Sequence, residues 1–161
     1  MALKQELKEF LKDHGKIAIL GIGNELKGDD VIGPCTAVKL EALFRENDNV
    51  IVFDGGTVPE NYTGIIRKEN PTHIILVDAV EMNEDPGYIR VVQKEEIAKY
   101  NLSTHAMPVS FLIKFMESTI DADIILVGVQ PKGMELIENV SEEVKKSIDI
   151  VVNTIFEVIN S

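Results

Sequence analysis

Short apolar runs alternating with helical stripes constrain this chain more than any other feature. Ile17-Ala18-Ile19-Leu20, Val50-Ile51-Val52-Phe53, Ile74-Ile75-Leu76-Val77 and Ile124-Ile125-Leu126-Val127 are apolar at every position. A strand with one wet face would alternate polar and apolar residues; strands like these must be covered on both faces. Between them, apolar residues recur at helical spacing. Leu3, Leu7, Phe10 and Leu11 predict a helix over about 3–14, ended at Gly15. Val31, Cys35, Val38 and Ala42 mark a second, with Pro34 tolerated in its first turn. A third covers about 59–68, and a short one about 95–100. Pro108, Phe111, Leu112, Phe115 and Met116 form another stripe. Ser141 caps a last helix carrying Val144, Ile148, Val151, Val152, Ile155 and Ile159. The expected fold is α/β, a three-layer sandwich with a mostly parallel five-stranded sheet flanked by helices. The remaining strand, about 88–93, follows the turn Pro86-Gly87 and is expected as an antiparallel edge.

A length of 161 residues suits one domain, 1–161, whose first 15 residues form a helical extension. The net charge of −11 argues against nucleic acid and anionic membrane surfaces, which need a basic face. No stretch approaches the roughly 18 apolar residues of a membrane span, so no membrane insertion is expected. The start, Met1-Ala2-Leu3-Lys4, lacks the apolar core of a signal peptide. A single cysteine, Cys35, excludes an internal disulfide and suits a reducing cytoplasm. Cys35 is expected to be buried, since free cysteine is among the most buried residue types.

The first apolar run opens into Gly21-Ile22-Gly23-Asn24, followed by Asp29-Asp30. A dinucleotide fingerprint needs a third glycine, but Leu26 stands in its place and Gly28 comes too late. Two acids there attract a cation rather than a pyrophosphate. Ligands of open α/β sheets sit outside the C-terminal strand ends. Asp30 follows the first strand, Asp54 ends the second and Asp78 ends the third, so all three should share one edge. His105 stands at the start of a helix, whose positive end disfavours imidazolium and favours the neutral ring a metal needs. Two carboxylates and one imidazole make a plausible divalent transition-metal site. Plainer roles stand beside this one. Asp29 or Asp30 can cap a helix, Asp78 can bond loop amides, and His105 can be a satisfied histidine. His14 and His73 read as structural. No Ser-His-Asp or Cys-His arrangement is evident.

The pattern Gly21-Ile22-Gly23-Asn24-x-Leu26-x-Gly28-Asp29-Asp30-x-x-Gly33-Pro34 resembles the signature of the hydrogenase maturation endopeptidases. Asp54-Gly55-Gly56-Thr57-x-Pro59-Glu60-Asn61, Ile75-Leu76-Val77-Asp78-Ala79, Thr104-His105-x-Met107-Pro108 and Gly128-Val129-Gln130-Pro131 follow in the family's order, and the likeness spans about 16–157. Some members carry Glu where this chain has Asp30. The chain looks closest to the enzymes that serve hydrogenase-3-like, membrane-associated hydrogenases. The resemblance implies an endopeptidase that trims the C-terminal extension of a [NiFe]-hydrogenase large-subunit precursor after nickel insertion. It implies Asp30, Asp78 and His105 as metal ligands and Asp30, Asp78 and Asp54 as catalytic groups. Gly55, Gly56 and Thr57 fall in its substrate-recognition loop. The metal it implies is nickel, recognised in the substrate, with another divalent metal able to substitute in vitro. Recognition alone, polarisation of the scissile carbonyl and activation of a water all remain open roles for the ion. A nickel-dependent docking or chaperone protein without protease activity would use the same three ligands.

Overall fold

The computed structural model describes residues 2–100 and 107–161. Helix α1 (Ala2–Phe10) leads into strand β1 (Ile17–Ile22). A 3-10 turn, Gly28–Val31, then opens α2 (Ile32–Leu43). Strand β2 (Val50–Gly56), a 3-10 turn at Pro59–Tyr62 and α3 (Thr63–Glu69) follow, then β3 (His73–Ala79) and β4 (Ile89–Val92). The expected helix near 95–100 is a 3-10 segment, Lys94–Lys99. Helix α4 (Val109–Thr119), β5 (Asp123–Val129) and α5 (Glu142–Ile159) complete the chain.

The five strands lie in the order β2-β1-β3-β5-β4. All neighbours are parallel except β4, which runs antiparallel against β5 at the edge. Side chains alternate between two buried cores. Ile17, Ile19, Ile75, Val77, Ile125 and Val127 face α1, α2 and α5. Ala18, Leu20, Ile22, Ile74, Leu76 and Leu126 face α3 and α4. Both faces are covered, as the unbroken apolar runs require.

Two helices bury a face other than the one their apolar spacing suggests. In α2 the inward residues are Gly33, Ala37 and Leu40, while Val38 is 60% exposed and Cys35 only half-buried. The reason is Gly33. A Cβ there would collide with the backbone of Ile22 and the carbonyl of Val77, so only glycine lets the helix press onto the sheet. The contact face is therefore centred on a residue with no apolar side chain. In α4, Val109, Leu112, Ile113 and Met116 are buried, while Phe111 and Phe115 stand outward at 61% and 50% exposure. A stripe at i, i+3, i+4 and i+7 already fills the sheet side, which leaves the two phenylalanines on the next row.

Cys35 was expected in the core; instead it lines a shallow depression with Val31, Lys39, Val140 and Ile148. Partial burial pushes its thiol pKa up, with Lys39 pulling it down less, so the neutral thiol is a poor nucleophile. Cys35→Ala is expected to keep full activity and to cost on the order of 1 kcal/mol or less. A folded variant without cleavage would overturn this.

His73 begins β3 at the opposite end of the sheet from Asp78, buried edge-on against Phe10 at 5.1 Å. Burial holds its imidazole below the usual histidine range, outweighing the pull of the Asp123 carboxylate at 3.8 Å. With the folded pKa depressed, the unfolded chain takes up the proton first as pH falls. The stability from a neutral His73 is thus fully present above the unfolded value of about 6.5 and is lost as pH drops toward the folded one. Melting temperature should fall between about pH 7.5 and about pH 5.5, and His73→Gln should flatten that slope. An identical slope in the variant would assign the acid loss to other groups.

Candidate active site

Strand order creates the site. Strand β1 sits between β2 and β3, and its chain leaves toward β2, while the chain from β2 returns across to β3. The two crossovers run on opposite faces, α2 on one and α3 on the other. The chain leaving β1 turns toward β2 and the chain leaving β3 turns the other way, toward β5 and β4, and this divergence opens a crevice above the C-terminal ends of β1 and β3, the point where ligands of such sheets bind. Asp30 follows β1 and Asp78 is the next-to-last residue of β3, both with no solvent exposure. Asp78 is level with Gly128 of β5, so no side chain crowds it from that strand.

The loop that carries Asp30 is wound by its own backbone. The Asn24 carboxamide oxygen accepts from Leu26 N at 2.9 Å, and Lys27 N bonds the Asn24 carbonyl at 3.1 Å. The Asp30 carboxylate in turn accepts from Asn24 N at 3.0 Å. Gly23 makes this closure possible, since it has φ 153° and a Cβ there would strike the Asp30 carbonyl. Asp30 ends just before the N-terminus of α2, whose dipole favours an anion.

The adjacent acids do different work. The Asp29 carboxylate is wholly buried and engaged by the segment 132–141. It accepts from Lys132 N at 2.7 Å, Gly133 N at 3.2 Å, Ser141 N at 2.7 Å and Ser141 Oγ at 2.9 Å. Its own N–H donates to the Gly133 carbonyl at 2.8 Å. Asp29 is therefore a pin between the Asp30 loop and the segment before α5, and not a helix cap. The Ser141 hydroxyl joins the same network, accepting from Val144 N at 3.4 Å as the cap of α5. No spacing rule distinguishes Asp29 from Asp30, because the partners of Asp29 lie more than 100 residues away.

Asp54 stands on the other side of β1, level with Gly21, and is exposed. It accepts from Gly56 N at 3.1 Å. Strand β2 runs through Asp54 to Gly56, whose carbonyl accepts from Gly23 N at 3.0 Å. Gly55 is enclosed, with Leu20, Gly21 and Pro59 around the place of a Cβ, while Gly56 has open space there. Thr57 is exposed beside it. His105 lies outside the described residues. Among the described residues, no three His, Cys, Asp or Glu side chains converge to hold a metal. Helix α4, with Pro108 as its N-cap, packs on the same face of the sheet as the core containing Leu76 and Ile22.

Gln130, within the family-like segment Gly128-Val129-Gln130-Pro131, has a local role. Its amide uses every hydrogen-bonding position. The nitrogen donates to Glu81 and the Pro131 carbonyl, and the oxygen accepts from Met82 N and Glu84 N. It ties down the loop that follows Asp78.

The sequence profile of hydrogenase maturation proteases matches residues 34–158. The chain belongs to this family. It is 34% identical over 134 residues to the hydrogenase 3 maturation protease of Escherichia coli K12, covering 83% of this chain and 84% of that protein. A Methanocaldococcus jannaschii protein provisionally assigned as a hydrogenase maturation protease shares 40% identity over 98% of this chain and 96% of its own length. The crystal structure of a [NiFe] hydrogenase maturation protease from Thermococcus kodakarensis superposes with a TM-score of 0.88 at 28% identity, covering 97% of this chain and 99% of that one. Membership of this protease family decides between the two classes the residues left open: the protein is a peptidase. The family profile begins at Pro34, so the Asp29-Asp30 loop lies outside the matched region. No described helix is long and apolar enough to cross a membrane.

Proposed function

We infer that this peptidase makes one cut in one protein, removing the C-terminal extension of a [NiFe]-hydrogenase large-subunit precursor already loaded with nickel. The likeness along most of the chain to a hydrogenase 3 maturation protease supports this above all. Nickel enters as part of the substrate. Asp30 and Asp78 supply two buried carboxylates at the β1/β3 crevice, and His105 supplies an imidazole. That mixed oxygen and nitrogen set suits nickel or a similar divalent ion in vitro, and leaves positions for thiolates of the precursor. The ion serves as the recognition mark, and the carboxylates orient the precursor tail over the sheet edge. Asp54, with Gly55, Gly56 and Thr57, receives that tail on the β2 side. One cysteine and no apolar span suit work in the cytoplasm.

Purified protein incubated with nickel-loaded precursor should release a short C-terminal peptide, read as a mass loss in the large subunit. A stable complex with unchanged mass would replace the protease reading with a docking role. Asp54→Asn is expected to slow cleavage by about tenfold or more through lost orientation of the tail. Because Asp54 is exposed with one local bond, stability should stay within about 0.5 kcal/mol. A lowered melting temperature with normal turnover would make Asp54 structural.

A further inference from the structure

Three large apolar side chains project beside the Asp30 loop: Ile137 at 84% exposure, Leu136 at 63% and Leu26 at 62%. Leu136 and Ile137 are the two central residues of a β-turn closed by Glu138 N donating to the Glu135 carbonyl at 3.1 Å. The Glu138 carboxylate accepts from Glu135 N at 3.0 Å and braces it. Ile137 N donates to the Leu26 carbonyl at 2.6 Å, so the turn is bonded to the loop that holds Asp30. Ile137 has φ 62°, a left-handed conformation that a β-branched residue avoids and that glycine or asparagine adopts readily. An exposed isoleucine there adds nothing to the core and strains the backbone. Strain of this kind at an exposed apolar side chain points to a role outside the fold.

We propose that the Leu136-Ile137 turn, with Leu26, is a docking knob for the folded body of the precursor, resting on the functional reading above. Shape and charge select this occupant. A side chain so exposed is convex and needs an apolar depression, whereas an extended tail needs a groove. Glu25, Glu135 and Glu138 are exposed around the knob, so the depression carries a basic rim. A second copy of a −11 chain would bring like charge to that rim. The knob is continuous with the candidate site, since Asp29 pins the segment leading into the turn to the loop carrying Leu26 and Asp30.

Steady-state cleavage of nickel-loaded precursor by Leu136→Ser and Ile137→Gly enzymes tests this. KM should rise about tenfold in each, with kcat within about twofold, as for loss of an exposed anchor. Melting temperature should hold for Leu136→Ser and hold or rise for Ile137→Gly, where the left-handed strain is relieved. Val38→Ser, an equally exposed apolar change on α2, should alter none of these. Unchanged KM in both variants overturns the knob. Binding to the mature large subunit without its tail forms the second arm: both variants should weaken it as they weaken binding to precursor. Weakening confined to tail-bearing precursor overturns docking on the body. Failure of the wild-type enzyme to cleave any precursor would instead overturn the proposed function, and the binding arm would still decide the knob.

Discussion

Precursor lacking nickel should be cleaved at least about 10²-fold more slowly than loaded precursor, and Asp78→Asn enzyme should lose the distinction. Asp30 and Asp78 are both buried at the ends of adjacent strands. Without a cation, two carboxylates stand where the precursor's own thiolates must approach, and any like charge there is repelled more strongly in a crevice of low dielectric than in water. The −11 surface supplies no general attraction to offset it. In the proposed function a bridging ion would reverse the sign of the interaction and fix the tail relative to the strand edge, where small displacements are costly. On the proposed assignment, asparagine at 78 keeps the shape but removes one anionic ligand, so loaded precursor should be treated like unloaded. The fold should survive, because asparagine keeps the size and shape of the buried side chain. Initial rates on loaded and chelated precursor, with wild-type and variant enzyme, give the answer. Equal wild-type rates under strict chelation would remove nickel gating. A variant that still discriminates would remove Asp78 from it.

Asp29→Ala should be the most destabilising single change in the site region, by about 3 kcal/mol or more. It strips a buried acceptor from three backbone N–H groups and the Ser141 hydroxyl at once. The part-buried donors would lose the acceptor that satisfies them. At roughly 2–4 °C per kcal/mol for a chain of this size, the melting temperature should fall by about 6–12 °C. Asparagine offers only partial rescue, because its amide nitrogen would face donors. Activity should fall beyond the loss of folded protein, since the 3-10 turn held by Asp29 also carries Asp30. A drop under about 2 °C would mean that the pin is dispensable.

Much of the fold was legible in the sequence. The doubly apolar runs required a sheet covered on both faces, and the Pro86-Gly87 turn left too little chain for a crossover before β4. These are local signals: residue type and spacing act within one element. The helix faces were less legible. In α2 the inward face is defined by Gly33 and its fit to Ile22 and Val77, which no apolar stripe can report. In α4 the sheet had room for one row, and Phe111 and Phe115 fell outside it.

The candidate site divides the same way. Acids at strand ends could be placed on one edge from sequence, because parallel strands end together. Only the strand order shows that β1 and β3 are neighbours, and therefore that Asp30 and Asp78 flank the switch point with Asp54 beyond β1. Strand order is set by which helices cover which face, a long-range choice with no local signature. The division of labour between Asp29 and Asp30 was likewise decided by donors near residues 132–141, brought in only when α5 packs against α2. Sequence determined which elements form and which chemistry sits at their ends. Packing decided which of those ends meet, because burial and hydrogen bonding are satisfied only by residues far apart in the chain.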